Sequence, residues 1–275
     1  MKRLEYQKGK LTLYALMLVA AVGAMVLARN CSTPTWHVDD NRAGGDTINV
    51  AIEISPLGIS TRNDTLSGYY YDMIRMLARQ HNRPLKIDGF THLSSVLDNL
   101  EEGRYDVVIG DIAANSNLRE RFLATVPVLI DRQVLVQSRD TVTGELRYPT
   151  QFSLTGDTIH VPYNSPFKTR LEHLTRELGD TIYIVEDAEL GAEQMIIMVA
   201  RQQLPNAVVN NHLAEIMKQD YPWLDSSVEI SFNQFQSWLV NKRDSVLRDT
   251  LNAWITDFRN TPAAQQLDRT YLDLQ

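Results

Sequence analysis

The 275-residue chain has a single cysteine, Cys31, and little else that would build a covalent or metal-stabilised scaffold. One cysteine excludes an internal disulfide framework and a zinc site made of cysteines. The histidines show no paired spacing of the kind that metal ligands need, so we predict no metal and no cofactor. They are His37, His81, His92, His160, His173 and His212.

Basic side chains are also scarce beyond the N-terminus. Residues 1–46 hold six of the 27 Lys and Arg and four of the 34 Asp and Glu, which leaves 21 basic and 30 acidic side chains over residues 47–275. This acidity excludes nucleic acid as an expected partner, because its binding needs clustered Lys and Arg. The chain lacks Gly-x-Ser-x-Gly, Walker and His-Glu-x-x-His motifs, so we predict binding rather than catalysis.

An uncharged apolar run, LTLYALMLVAAVGAMVLA, spans residues 11–28. At about 1.5 Å per residue this run reaches roughly 27 Å, just enough for a bilayer core. Basic residues precede the run and only Arg29 closely follows it, so the positive-inside rule keeps residues 1–10 as a cytoplasmic stub. We predict an inner-membrane, single-pass signal-anchor over 11–28, a tether over 29–46 and a periplasmic domain.

Two alternatives for the N-terminus stay open. Cleavage as a signal peptide would need a shorter apolar core. Lipidation at Cys31 would need small residues before the cysteine, where Arg29 and Asn30 stand. Under all three hypotheses residues 32–275 lie outside the cytoplasm.

Residues 47–275 alternate between the two-residue period of strands and the 3.6-residue period of helices, as an α/β protein should. One β-α-β-α-β series is followed by a second and by two tail helices. The predicted strands span 48–54, 85–90, 106–112, 132–138, 158–163, 181–186 and 206–211, and the predicted helices span 69–81, 93–102, 166–178, 189–203, 246–258 and 262–272.

Two such series predict two α/β lobes. Ligands of open α/β sheets bind beyond the carboxyl ends of the strands, so two facing lobes predict a cleft. Within a solute-binding domain over 47–275, we expect lobe 1 to comprise 47–138 and 230–275 and lobe 2 to comprise 139–229. The hinge crossings are expected near 137–143 and 226–232.

Four stretches resemble the family 3 solute-binding proteins, the periplasmic components of polar amino-acid ABC importers. Their order and spacing span about residues 47–275, which implies a two-lobed periplasmic-binding-protein-like fold of type II behind one N-terminal transmembrane helix. The stretches are Gly68-Tyr-Tyr-Tyr-Asp72-Met73, Leu97-x-x-Leu-x-x-Gly103-x-x-Asp106-Val-Val-Ile, Arg119 with Thr125 and Pro127, and Asn206-Ala-Val-Val-x-Asn211.

Within that family, Asn115-Ser116, Glu193-Gln-Met and Phe235-Gln-Ser-Trp238-Leu resemble the non-catalytic N-terminal domain of membrane-bound lytic murein transglycosylases. A lysozyme-like catalytic domain follows in those enzymes, whereas this sequence ends at Gln275. We therefore expect the sensor domain without the catalytic one. The resemblance implies a small-molecule ligand and, as protein partner, an ABC permease or a cell-wall enzyme acting on peptidoglycan.

Arg119 is the principal candidate for binding a ligand carboxylate. A guanidinium matches a carboxylate through two parallel hydrogen bonds, and the resemblance implies that the family's arginine holds the ligand's α-carboxylate. Arg119 stands one residue further from Asp106 than the family spacing, so Arg121 is the alternative.

Ser165 and Asn164 precede a predicted helix in lobe 2, where free N–H groups favour an anion. Plain capping of the helix by Ser165 is the alternative.

Asn211 occupies the position at which amino-acid binders of the family place an aspartate against the ligand's ammonium. A neutral amide loses that charge pairing, which favours a peptide or muropeptide-like ligand, although Asn211 could equally cap a strand end.

Further candidates follow the predicted strands of lobe 1 into the expected cleft. The family's loop supplies a hydroxyl where Ala113 has none, and Asp111 could replace the negative charge missing at Asn211. Each acid could equally be an ordinary loop residue. These candidates are Glu53, Tyr69, Asp111, Ala113 and Asn115.

We therefore predict a membrane-anchored, extracytoplasmic solute-binding protein, not an enzyme, whose lobes close on a small carboxylate-bearing ligand for transport or cell-wall sensing. The first alternative is an enzyme on the same scaffold, either a degenerate murein transglycosylase or a small dehydratase. A cleft carboxylate without a charge partner would favour it. The second alternative is a sensory ectodomain with a filled, apolar cleft.

Overall fold

A computed structural model describes residues 38–39, 47–62, 64–140 and 142–272. They belong to one compact unit over residues 37–275. The predicted transmembrane segment, 11–28, lies outside the described residues. None of the helices that the structure describes is long and apolar enough to cross a membrane.

Lobe 1 is built on a six-stranded mixed sheet whose three central strands run parallel. Residues 38–39, which the sequence assigns to the tether, pair antiparallel with Lys86 and Ile87 at its edge. In sheet order the strands are β1 (Val38–Asp39), β5 (Leu85–Phe90), β2 (Ile48–Glu53), β6 (Val107–Ile109), β15 (Leu239–Asn241) and β7 (Phe122–Ala124). A hairpin of β3 (Ser60–Arg62) and β4 (Thr65–Ser67) follows β2.

Helices cover both faces of this sheet. The apolar face of the first helix is buried, with Tyr70, Met73, Ile74 and Leu77 in the core. In the first tail helix, Leu251, Trp254, Ile255 and Phe258 are buried, whereas Val246 is 76% exposed. The helices are α1 (Tyr69–Gln80), α2 (Leu93–Glu101), α3 (Ser116–Arg121), α7 (Ser245–Arg259) and α8 (Pro262–Tyr271).

Lobe 2 holds a three-stranded and a two-stranded sheet that the side chain of Asn206 joins. Its Nδ2 donates to Thr158 O over 2.9 Å, and its Oδ1 accepts from the N–H of His160 over 3.1 Å. The strands are β9 (Gln133–Ser138), β10 (Thr158–Pro162), β11 (Tyr183–Asp187), β12 (Asn206–Asn210) and β13 (Leu224–Glu229); the helices are α4 (Pro166–Leu178), α5 (Ala192–Ala200), α6 (Asn211–Lys218) and a 3₁₀ turn, Gln151–Leu154.

Two antiparallel strands, β8 (Leu129–Asp131) and β14 (Gln234–Gln236), lie where the chain passes between the lobes. Strand β9 pairs with β12 and β13, so residues 133–138 belong to lobe 2 and not, as predicted, to lobe 1. The crossings therefore lie around β8 and β14 rather than near 137–143 and 226–232. A strand buried on both faces shows the same apolar run in either lobe, which explains the misplacement.

Candidate functional site

A cavity lies between the lobes, beyond the carboxyl ends of the parallel strands of lobe 1. It encloses about 780 Å³, counting its open mouth. Lobe 1 lines it with Glu53, Ser55, Leu57, Phe90, Thr91, His92, Leu93, Asp111 and Ile112, and lobe 2 with Pro162, Tyr163, Asn164, Ser165, Pro166, Phe167, Gly191, Ala192, Asn210 and Leu213.

The carboxylate of Glu53 reaches the main chain just after β6. The N–H of Asp111 donates to Glu53 Oε2 over 3.0 Å. A Cβ at Gly110 would lie only 2.8 Å from that same oxygen, so the missing side chain makes the approach possible. Burial raises the pKa of Glu53, and the hydrogen bond from Asp111 opposes part of that rise.

Asp111 presents a carboxylate that the described residues leave unpaired. Both of its carboxylate oxygens are buried and have no hydrogen-bond partner there. Burial raises the pKa of Asp111 well above its usual value, the nearby charges of Asp131 and Glu53 and a contact with the side chain of Asp131 raise it further, and a contact with the side chain of Asn210 lowers it. Buried polar groups are almost always paired in folded proteins, so this carboxylate requires an explanation.

Asp131, at the end of β8, is by contrast well paired. Its Oδ1 accepts from the N–H of Arg132 over 2.7 Å, and its Oδ2 accepts from the N–H of His212 over 3.1 Å. The same Oδ2 lies 3.0 Å from His212 Nδ1. These contacts give Asp131 a structural role at the crossing.

The wall contributed by lobe 2 begins at the N-terminus of α4. Ser165 makes no side-chain capping bond to the helix, and its hydroxyl oxygen is buried without a partner among the described residues. Ser165 occupies the N-cap position of α4, but its hydroxyl does not cap the helix. Asn164 adopts a left-handed conformation with φ 53°, and its N–H donates to Glu186 Oε1 over 3.0 Å.

The two lobes touch around the cavity. Asn210 Nδ2 donates to the main-chain oxygen of Asp111 over 3.0 Å. A Cβ at Gly191, before α5, would lie 3.3 Å from Thr91 O of lobe 1. Glu193 and Glu53 line a smaller adjoining pocket, where burial, followed by the charge of Glu53, raises the pKa of Glu193.

Neither candidate arginine lines this cavity. Arg119 is exposed on α3, where its Nε donates to Ala114 O over 2.7 Å and its own main-chain oxygen accepts from Lys242 Nζ. Arg121 forms ion pairs with Asp98 and Glu101 on the outer surface of lobe 1. No Lys or Arg occurs among the described residues that line the cavity.

Of the nine predicted site residues, four line the cavity and five do not. Strand β12 ends one residue earlier than predicted, so Asn210 lines the cavity and Asn211 begins α6. Asn115 caps α3 by accepting from the N–H of Leu118, and Ala113 bridges to Gln236. Tyr69 donates to Asp268 Oδ1 over 3.0 Å, away from the cleft. The four in the cavity are Glu53, Asp111, Asn164 and Ser165.

The described residues form two α/β lobes with a cavity between them, which is the architecture of solute-binding domains. The model of the bacterial extracellular solute-binding proteins, family 3, matches residues 47–273, so the chain belongs to this family. The family expected from the four sequence stretches is thereby confirmed.

The chain is similar to two enzymes named membrane-bound lytic murein transglycosylase F. It is 23% identical to the one from Shewanella loihica over 196 residues, which cover 70% of this chain and 40% of that protein. It is 22% identical to the one from Sodalis glossinidius over 265 residues, which cover 94% and 53%. The chain therefore spans about half the length, or less, of these curated relatives.

Solved structures share the fold at low identity. The substrate-binding protein of an amino acid ABC transporter has a TM-score of 0.69 and 15% identity, covering 82% of this chain and 99% of that one. The GluR0 ligand-binding core in complex with L-glutamate has a TM-score of 0.69 and 14% identity, covering 84% and 100%. At these identities the similarity establishes the fold and not the ligand.

Proposed function

We propose that residues 47–272 bind a small polar solute between their two lobes and release it unchanged. The observation that carries this proposal is the cavity, which both lobes line and in which a buried carboxylate and a buried hydroxyl lack partners. The paired crossing strands provide a hinge about which the lobes close on the solute.

We also propose that residues 11–28 anchor the domain in the inner membrane and place it in the periplasm. The names of the relatives given above describe membrane-bound enzymes that act on murein, which supports an anchored, cell-wall-facing role over transport.

An ABC permease and a cell-wall enzyme are the two candidate partners. A peptide or muropeptide-like solute suits the cell-wall role, with any carboxylate of the solute directed at Ser165 and the start of α4 rather than at Arg119.

One observation favours the alternative of an enzyme. Asp111 is a cleft carboxyl without a charge partner, and burial raises its pKa in the direction that suits a general acid. The two functions differ in the fate of the solute. Recovery of a chemically altered solute after incubation, followed by NMR, would replace binding by catalysis as the conclusion.

Thermal unfolding of the full-length protein in detergent, with amino acids, short peptides and muropeptides added singly, tests the binding function. A solute at 100 times its dissociation constant stabilises a protein by about 2.7 kcal/mol, which raises the melting temperature by several degrees. A panel in which no compound of any charge raises the melting temperature would refute the proposed function.

A further inference from the structure

A groove, which we call the hinge groove, lies where the crossing strands β8 and β14 meet the helices α1, α7 and α8. It encloses about 1,060 Å³, counting its open mouth, and none of the described residues lines both this groove and the cavity between the lobes. Its floor is apolar and belongs to the core of lobe 1 or packs against it. The residues of this floor are Met73, Val128, Leu129, Phe258, Ala264 and Leu272. An open apolar surface of this kind gains free energy when another apolar surface covers it.

Two large apolar side chains stand at the rim of the hinge groove. Ile130 of β8 and Phe235 of β14 occupy directly paired positions, so both side chains point to the same face of the two strands. Ile130 is 52% exposed and Phe235 is 59% exposed, and both line the groove. Apolar residues scattered singly over a surface are ordinary, whereas a rim and a floor that are apolar together are typical of a protein interface.

The hinge groove also carries one base and one acid, both exposed. Arg259 ends α7 and makes no hydrogen bond or ion pair with another described residue. Asp268 lies on α8, where its Oδ1 accepts a hydrogen bond from the hydroxyl of Tyr69 over 3.0 Å and its Oδ2 accepts none from the described residues. Both charges therefore remain available to a partner.

The balance of these two charges indicates which partner fits. Residues 47–275 hold 21 basic and 30 acidic side chains, so two copies of the chain repel each other over most of their surface. At the hinge groove this repulsion is absent, because the base and the acid cancel. A ligand of a single sign would pair with one of the two residues and leave the other beside a like charge.

A second copy of the chain satisfies both charges at once. In a two-fold dimer the same patch of each copy faces the other, so each contact between two different residues occurs twice. Arg259 of each copy then pairs with Asp268 of the other. Ile130 and Phe235 of each copy cover the apolar floor of the other.

We propose that the hinge groove is the interface of a two-fold homodimer, held by two Arg259–Asp268 ion pairs around the apolar contacts of Ile130 and Phe235. The inference goes beyond the solute-binding function and does not depend on it, because no residue of the cavity between the lobes takes part.

Sedimentation equilibrium of the full-length protein in density-matched detergent, without any solute, measures the association. We expect a wild-type dimer whose fraction rises with the protein concentration. Arg259→Glu places two acids opposite each other at both contacts, and Asp268→Lys places two bases there. Each substitution should raise the dissociation constant of the dimer at least tenfold, because like charges repel across an interface.

A mixture of the two variants gives a sharper test. Neither Arg259→Glu nor Asp268→Lys pairs well with itself, but a mixed dimer has opposite charges at both contacts. We therefore expect an equimolar mixture to associate about as tightly as the wild type, a rescue that a mere loss of stability would not produce. Asp268→Lys gives up the hydrogen bond from Tyr69, so if it does not fold, Arg259→Glu and the apolar variant decide the matter.

The apolar variant is Phe235→Ser, which should also weaken the dimer at least tenfold. Phe152→Ser is its control, because Phe152 is 74% exposed on the 3₁₀ turn of lobe 2, away from the groove. Arg201→Glu, just after α5 of lobe 2, is the control for the change of charge. Both controls should associate as the wild type does.

Three outcomes overturn the proposal. The wild type stays monomeric at the highest concentration reached; the dimer persists unchanged in both Arg259→Glu and Phe235→Ser, which would assign it to another surface such as residues 11–28; or the mixture associates no better than either variant alone although both are folded by their melting temperatures. Failure of the solute panel would not affect these measurements, because no solute is present.

Discussion

The side-chain amide of Asn210 donates a hydrogen bond over 3.0 Å to the main-chain oxygen of Asp111. Asn210 ends strand β12 of lobe 2, and Asp111 follows strand β6 of lobe 1, so this bond crosses the cleft. It attaches the wall of one lobe to the residue that presents the unpaired carboxylate in the other. Contact between the lobes and placement of that carboxylate are therefore coupled.

Replacement of Asn210 by alanine should weaken solute binding without unfolding the protein. A hydrogen bond of this kind contributes about 0.5–1.5 kcal/mol, which corresponds to a loss of roughly two- to tenfold in affinity, by titration calorimetry, for a solute found by the thermal-unfolding panel. Asn211→Ala is the matched control, because the hydrogen bond from Asn211 to Arg132 O uses the main-chain N–H of Asn211. A larger effect at Asn211 than at Asn210 would restore the original prediction for that position.

Gly191 controls how closely the lobes approach. A Cβ there meets Thr91 O at 3.3 Å, so Gly191→Ala should weaken binding slightly and Gly191→Val should weaken it by about 1–3 kcal/mol through overpacking. Calorimetry measures the affinity, and thermal unfolding of the solute-free variants shows that each lobe is intact. Equal affinity of the wild type and Gly191→Val would contradict the close contact.

The stability that Asp111 and Glu53 contribute to the solute-free protein should fall as the pH rises. Burial raises the pKa values of Asp111 and Glu53 in the folded protein, so the folded state binds protons more tightly than the unfolded one. Their stabilising contribution is fully present below the unfolded-state pKa values, near 4, and is lost as the pH rises through the folded-state values. Asp111→Asn should flatten this decline, as measured by melting temperature between pH 4 and pH 8.

Other titratable groups near the acids are present in both proteins, so the difference between their two pH curves reports Asp111. Superimposable curves would show that its carboxyl does not titrate differently on folding. These other groups are Tyr70, His92, Asp131, Glu193 and His212.

Asn206→Ala should destabilise lobe 2. The amide joins β10 to β12 through Thr158 and His160, and its Nδ2 also lies 3.2 Å from the hydroxyl of Tyr148. Loss of these buried partners should cost about 2–4 kcal/mol, visible as a fall of several degrees in melting temperature. Asn260→Ala, on the exposed end of α7, is the control and should change little.

The lobes could be predicted because each series of strands and helices has its own hydrophobic period. The strand end at Asn210 could not, because Asn210 and Asn211 are chemically identical and a one-residue shift leaves the apolar run Ala-Val-Val unchanged. The boundary between the lobes at residue 133 was predicted wrongly, because it depends on the pairing of β9 with β12 and β13. These strands are distant in the sequence, and the hydrophobic pattern of one strand does not indicate its partners.

The candidate site was predicted in part. Glu53, Asp111, Asn164 and Ser165 follow strands or precede a helix, and the rule that ligands bind at strand ends places such residues correctly. Arg119 was chosen by its chemistry and its resemblance to the family's arginine, but the short helix α3 carries it to the outer surface. Gly110 and Gly191 each lie close to a segment that is distant in the sequence, Gly110 to Glu53 and Gly191 to Thr91. The local sequence around either glycine does not indicate these contacts.

Lobe 2 is an insertion within lobe 1, since strands β1 and β2 and helices α7 and α8 all belong to lobe 1. Any structure attached at either end of the described chain is therefore carried by lobe 1, and the proposed closure would move lobe 2 without displacing those attachments. A protein that detects whether the cleft is occupied would have to contact lobe 2 or the two crossing strands. A partner that bound lobe 1 alone would be held at the same place whether or not the solute was present.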